Sequence, residues 1–345
     1  MKIEIVSKSL YSGSGPRGVD VYARHLFDEL SKLTSTDTIK LSKDKASGNQ
    51  VDVIHYTFFD PFYLTLFGQK TKPPFVVTVH DLIPLVFENQ FSIGIRGKIK
   101  WLFQKRALRR SAAIITDSQC SKTDIVKLVG VNENKVYVIP LAAGHTIVND
   151  KLVKTVRSAY NLPDIYLLYV GDINWNKNIS GLIEAFSTIQ DRQTHLVLVG
   201  KAFESSKNTT EYHQIREAIE KSGKSELIHM LGFVPSHHLP AIYKAATLYV
   251  QPSWYEGFGF PILEAMEQGT PVASSAAGSL REVGGQYAHY FDPNVKGEMG
   301  KLLSELLKNS NSRKRYVDSG KSWAKSFTWD KVIKKTRAVY ASITG

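Results

Sequence analysis

The sequence predicts an α/β protein of two doubly wound domains, each a parallel sheet with helices on both faces, facing a central cleft. Three observations carry this. The length of 345 residues exceeds what one hydrophobic core serves and divides into two domains of roughly 150 residues. Short β-branched runs alternate with segments whose apolar residues recur at three and four, the signature of repeated β-α units. A polar, proline-flanked stretch separates two sets of such runs.

In chain order, the first set of strand runs is KIEIVS, VDVIHYT, FVVTVH, AAIITDS and KVYVIP. Each lacks the strict alternation of a half-exposed strand, as expected when helices cover both sheet faces. Leu141 to Asp164 follows, with LAAG and NLPD reading as hinge segments around a short helix. The second set is IYLLYVG, HLVLVG, LIHMLGF, TLYVQP and PVASS. The domains are therefore expected at 1–150 and 151–327, with ligands at the carboxyl ends of the strands. No repeat of solenoid length and no low-complexity tract interrupts the pattern.

Composition narrows the class. Hydrophobic residues make up 43% and charged residues 22%, and no run approaches the roughly 20 apolar residues of a membrane span. The start, MKIEIVSKSLYSGSG, reads as a strand and a polar glycine loop rather than a secretory leader, so a cytoplasmic location is expected. A single cysteine, Cys120, excludes internal disulfides and cysteine-cluster metal sites. The net charge of +12 calls for an anionic partner or surface. Its densest block, Arg96 to Arg110, holds seven basic residues and no acid, interleaved with Ile99, Trp101, Leu102, Phe103 and Leu108. Two readings stand for it: a basic amphipathic helix contacting an anionic membrane from the cytoplasmic side, or a solvated helix with one side in the core. A nucleic-acid partner is not expected, because no recognised nucleic-acid module is present and the basic residues sit beside apolar ones.

Two loops carry chemistry. Gly13-Ser14-Gly15-Pro16-Arg17-Gly18 formally matches G-x-G-x-x-G ahead of a helix whose core face is Val19, Tyr22, Ala23, Leu26, Leu30 and Leu33. Lys8 to Ser12 intervene between strand and first glycine, and no strand-end acid follows about 20 residues on, so a dinucleotide site does not fit. A glycine loop suited to an anion at a helix N-terminus remains. The second loop is Glu256-Gly257-Phe258-Gly259-Phe260-Pro261-Ile262-Leu263-Glu264, after the run TLYVQP, with Pro261 in the first turn of a helix. Gly257 and Gly259 allow backbone amides to turn toward a phosphate or sugar oxygen, while Glu256 and Glu264 can accept hydrogen bonds from sugar and ribose hydroxyls.

The E-x7-E with internal G-F-G-F-P, in SWYEGFGFPILEAMEQGTPVASS, resembles the signature of retaining glycosyltransferases of family 4, whose GT-B fold pairs two Rossmann-like domains. The resemblance extends through the glycine loop, VTVHDLIPLVF, TDSQCSKTDI, YVGDINWNKNISGLIEAF, LGFVPSHHLPAIYKAATLYVQPSWYEG and FTWDKVIKKTRAVY. It implies an acceptor-binding N-terminal domain, a donor-binding C-terminal domain, and a last helix, about 328–345, packed back on the first.

By position, the resemblance implies that Glu256 contacts the donor sugar, Glu264 the ribose, and the amides of Gly257 to Phe260 the sugar or diphosphate. Lys177 would neutralise the departing diphosphate beside Gly171, and His80 would lie near the reacting sugar. Gly13 and Gly15 would lie on the phosphate side, with Arg17, Asp81, Asp117 and Ser118 lining the acceptor side. The catalytic set is then His80, Lys177 and Glu256, with no cofactor and no metal.

Many relatives add an arginine to the diphosphate lysine, whereas the corresponding positions here are Asn176 and Asp172, which leaves Arg17 or Lys201 to supply the second charge. The motif style implies a GDP-mannose donor, with UDP-hexoses second, and a glycan or polyprenyl-diphosphate-linked acceptor. A non-catalytic subunit and a phosphorylase of the same fold are the rivals.

Overall fold

A computed structural model describes residues 1–7, 18–33, 37–43, 46, 50–66, 72–91, 93–144 and 147–345. The chain divides into two compact units, residues 1–142 with 327–345, and residues 143–326.

In the first unit, strands β1 (Lys2–Val6), β2 (Thr38–Ser42), β3 (Val53–Tyr56), β4 (Phe75–Thr78), β5 (Ala113–Thr116) and β6 (Val136–Val138) form one sheet in the order β2-β1-β3-β4-β5-β6. Every pairing is parallel. β3, β4 and β5 are buried at every residue, which is why their sequences read as continuous apolar runs rather than alternations. β2 was not among the expected runs. It is an edge strand, TIKLS, whose Thr38 and Lys40 face solvent, so it lacks the apolar density of its neighbours.

The last helix, Trp329–Thr344, belongs to this unit. It packs on helix Gly18–Leu33 and β5, and side chains fix its place. Tyr340 OH lies 2.6 Å from His55 Nδ1, and His55 Nε2 lies 2.7 Å from Thr78 Oγ1, all buried. At the rim, Arg337 pairs with Asp37 at 2.8 Å, and Asp37 also holds the N-terminal amine at 2.7 Å.

The second unit repeats the plan with β7 (Ile165–Val170), β8 (Thr194–Val199), β9 (Ile228–Gly232), β10 (Leu248–Gln251), β11 (Val272–Ser275) and β12 (His289–Phe291). Their order is β12-β11-β10-β7-β8-β9, again all parallel. β12 is three residues long, too short to register as a run in sequence. Alternate strand residues enter different layers. Leu167, Tyr169, Leu196, Leu198, Leu248 and Val250 share a core with Ile183, Phe186, Ile219 and Leu303 from one group of helices. Leu168, Val197 and Tyr249, pointing the other way, are equally buried, and helices Leu239–Ala245 and Phe260–Gln268 pack together with Val317–Ala324 as a second group. Right-handed crossovers explain the two layers, because reversing the direction of strand addition moves the connecting helix to the opposite face.

That reversal sets the location of the chemistry. In the second unit β7 is followed by β8 and β9 on one side, and β10 then joins on the other. The loops leaving β7 and β10 therefore diverge at a topological switch point, where open α/β sheets bind ligands. Gly200, at the end of β8, closes the same edge. A Cβ there would lie 2.0 Å from the Gly171 carbonyl oxygen, so only glycine permits the two loops to approach.

Candidate active site

The loop after β7 contributes Lys177 and the loop after β10 contributes Glu256. The Lys177 ammonium stands 2.8 Å from both carboxylate oxygens of Glu256. Glu256 is 8% exposed and Lys177 21%, so the pair is largely withdrawn from water. Burying a carboxylate is tolerable only when its lone pairs are satisfied, and Glu256 meets that condition. Its Oε1 also accepts from Ser253 Oγ at 2.7 Å and Gln251 Nε2 at 3.0 Å, and Gln251 in turn donates to Ser253 Oγ at 2.8 Å. Tyr249 OH donates to Gln251 Oε1 behind them. Burial, then the neighbouring Tyr169 and the Glu256 carboxylate, push the Tyr249 phenol well above its ordinary pKa and keep it protonated.

Gln251 and Ser253 were missed in sequence. A signal existed: Tyr249, Gln251 and Ser253 occupy every second position at the end of a strand that leads to an acid, so their side chains share a face.

The glycine loop between the two acids is held by backbone and hydroxyl bonds. Ser279 Oγ donates to the Glu256 carbonyl at 2.9 Å and to the Phe258 carbonyl at 2.8 Å. Gly259 has φ +103°, a conformation suited to glycine, and begins helix Phe260–Gln268. Phe258 and Phe260 meet edge to face, with ring centroids 5.5 Å apart. Glu264, on that helix, accepts from the buried Tyr243 OH at 2.7 Å, and that contact, with burial the larger cause, keeps Tyr243 protonated far above its ordinary range. Gly171 follows β7 directly, its amide bonded to the Val199 carbonyl at 3.0 Å.

The departure at Asn176 has a structural account. Asn176 is buried, donates through Nδ2 to the Tyr255 carbonyl at 3.0 Å, and accepts the Trp254 amide at 2.8 Å. Asn178 donates to the Pro252 carbonyl at 2.9 Å. The two asparagines thus tie the β7 loop to the β10 loop and hold Lys177 against Glu256. Asp172 is exposed and bonds the next amide, Ile173, at 2.8 Å. Lys201 stands exposed beyond Gly200 on the same edge.

In the first unit, adjacent strands β4 and β5 deliver His80 and Asp117. His80 Nδ1 lies 2.6 Å from Asp117 Oδ2, where a protonated Nδ1 donates to the carboxylate. Burial acts to lower the imidazole pKa, but the charge and hydrogen bond of Asp117 outweigh it, with Asp81 adding, and the net direction is upward. His80 Nε2 and Asp117 Oδ1 are buried without a hydrogen-bond partner among the described residues. Tyr22 packs edge-on against the imidazole at 4.9 Å. Asp81 accepts the Ile83 amide at 3.1 Å. Ser118 is buried and caps helix Gln119–Val129 by accepting the Ser121 amide at 3.0 Å, while Ser121 Oγ donates to the His80 carbonyl at 3.0 Å. Gly13, Gly15 and Arg17 lie outside the described residues. Among the described residues, no three His, Cys, Asp or Glu side chains group to hold a metal ion, and no helix is long and apolar enough to cross a membrane.

Two units, each a parallel six-stranded sheet with flanking helices, are the fold of GT-B glycosyltransferases. The sucrose-phosphate synthase of Thermosynechococcus elongatus superposes with a TM-score of 0.79 at 19% identity, over 99% of this chain and 98% of that one. The description Glycosyltransferase Family 4 matches residues 12–142, and Glycosyl transferases group 1 matches residues 154–323. The chain belongs to glycosyltransferase family 4. O-antigen chain mannosyltransferase B of Escherichia coli is 30% identical over 68% of this chain and 61% of its own length. MMP alpha-(1->4)-mannosyltransferase of Mycolicibacterium hassiacum is 31% identical over 77% of this chain and 65% of its own. The chain thus spans under two thirds of these relatives.

Proposed function

We propose that the chain is a retaining, metal-independent hexosyltransferase that moves mannose from GDP-mannose to a glycan or polyprenyl-diphosphate-linked glycan in the cytoplasm. The observation that carries the reading is the Lys177–Glu256 pair at the β7/β10 switch point, at 2.8 Å. A cation and a sugar-binding acid stand side by side where an open α/β sheet receives a phosphorylated ligand. The mannosyltransferases named above, at about 30% identity, support mannose as the transferred sugar.

In the reaction, the bond from the sugar anomeric carbon to the diphosphate oxygen breaks, and one from that carbon to the acceptor hydroxyl oxygen forms on the same face. The hydroxyl proton passes to the leaving diphosphate. Lys177 balances the charge that develops there, which is the role of a preorganised cation in a site largely shielded from water. Glu256, fixed by Ser253 and Gln251, orients the donor sugar hydroxyls. Glu264 receives the ribose, and His80, oriented by Asp117, is assigned to the reacting sugar.

The test is thermal unfolding of the purified protein with GDP, UDP, ADP and TDP in turn. A nucleotide at a hundred times its dissociation constant adds about 2.7 kcal/mol. Selective stabilisation by GDP is expected, followed by mannose transfer without added metal. Selective stabilisation by UDP would move the donor to a UDP-hexose. A response to none would overturn the transferase reading in favour of a non-catalytic subunit.

A further inference from the structure

The sequence leaves the basic segment open between a solvated helix and a membrane-facing one; the structure shows which side chains face out. Helix Ile95–Arg110 turns Gln104 and Leu108 inward, with Trp101 and Ala107 packed against the first unit's core. At 100° per residue, Ile95, Ile99, Leu102 and Arg106 form one stripe on the opposite side, with Phe103 and Arg110 beside it. Those apolar side chains are open to solvent: Ile95 is 80% exposed, Leu102 65%, Phe103 56% and Ile99 49%.

The loop beside the helix enlarges the patch. Buried Gln104 donates from Nε2 to the Asp60 carbonyl at 2.9 Å and accepts the Leu66 amide at 3.0 Å, pinning residues 60–66 to the helix. Tyr63 and Leu64 are thereby presented at 69% and 46% exposure, with Lys100 Nζ 5.7 Å from the Tyr63 ring centroid. Four large apolar side chains of a helix with seven cations and no acid, and two more from the adjoining loop, thus form one patch.

We infer that this face, formed by Tyr63 and Leu64 of the loop and by Ile95, Ile99, Leu102 and Phe103 of the basic helix, docks on an anionic lipid surface. Apolar side chains would enter the headgroup boundary while the Lys and Arg side chains meet lipid phosphates. Charge decides the occupant. A second copy seated on the same patch would bring the seven cations of one helix against the seven of the other, with no acid on either helix to offset them. The inference is independent of the nucleotide-sugar reading.

The test is flotation of the full chain with vesicles of phosphatidylcholine mixed with phosphatidylglycerol, and with phosphatidylcholine alone. Binding to the mixed vesicles, weakened by salt, is expected. Each cation at an anionic surface contributes about fivefold in partitioning, so R106Q/R110Q should lower it about 25-fold. L102S/F103S should lower it as well, while nucleotide stabilisation stays at the wild-type level in both variants. Absence of wild-type binding, or wild-type partitioning by either double variant, would overturn the inference. So would a wild-type dimer in sedimentation that L102S/F103S converts to monomer.

Discussion

Replacing Lys177 by methionine keeps the length of the side chain and removes its charge, which leaves the Glu256 carboxylate at 8% exposure without its cation. Removing one partner of a fully buried pair costs about 3–5 kcal/mol. Here the cost is smaller, because Lys177 is itself 21% exposed and Glu256 keeps its bonds from Ser253 and Gln251. A loss of about 2–3 kcal/mol from the second unit is expected. For a unit of this size that is a fall in melting temperature of roughly 4–12 °C. The assay is calorimetry of the wild type, Lys177→Met, Glu256→Gln and the double variant. Neutralising the carboxylate removes the uncompensated charge, so the double variant should be more stable than the sum of the singles by about 2 kcal/mol. Lys177→Met should also abolish stabilisation by the nucleoside diphosphate. A cost under about 0.5 kcal/mol, or strict additivity, would refute the claim that this pair is an energetically coupled, buried element of the site.

Two further outcomes concern the first unit. Burial, aided by the nearby His80, pushes the His55 pKa down to about 3, so the native state binds fewer protons there than the unfolded chain. The contribution of His55 is therefore intact above the unfolded value near pH 6.5 and is lost as pH falls toward 3. From pH 6.5 to 5 this amounts to about 2 kcal/mol, and His55→Gln should flatten the slope seen in urea unfolding over that range. Asp117→Asn removes the charge that lifts His80, so the His80 proton resonance should titrate at lower pH than in the wild type. If His80 positions the reacting sugar as proposed, the turnover number should fall with little change in donor KM.

The sequence by itself determined the α/β class, the parallel pairing and the division into two sets of strands. Fully buried strands such as VIHY, FVVT and AIIT must be apolar on both faces, and helical periods between them leave few other arrangements. It also carried the loop conformation before the helix at Phe260, where Gly259 takes a positive φ and Pro261 stands in the first turn. What the sequence could not decide depended on long-range geometry. β2 and β12 escaped notice because a solvent-facing edge strand and a three-residue strand carry little apolar signal. Lys177 and Glu256 are 79 residues apart and meet only because β10 adds beside β7. His80 and Asp117, 37 apart, meet because β4 and β5 are neighbours. Side-chain direction was equally out of reach for the basic helix. Its apolar residues lie on both sides of the helix, and the bond of Gln104 to its neighbouring loop and the packing of Leu108 set which side turns inward. Periodicity is local and survives in the chain; the pairing of charges and the choice of buried face are set by contacts between distant segments, which only the folded structure holds.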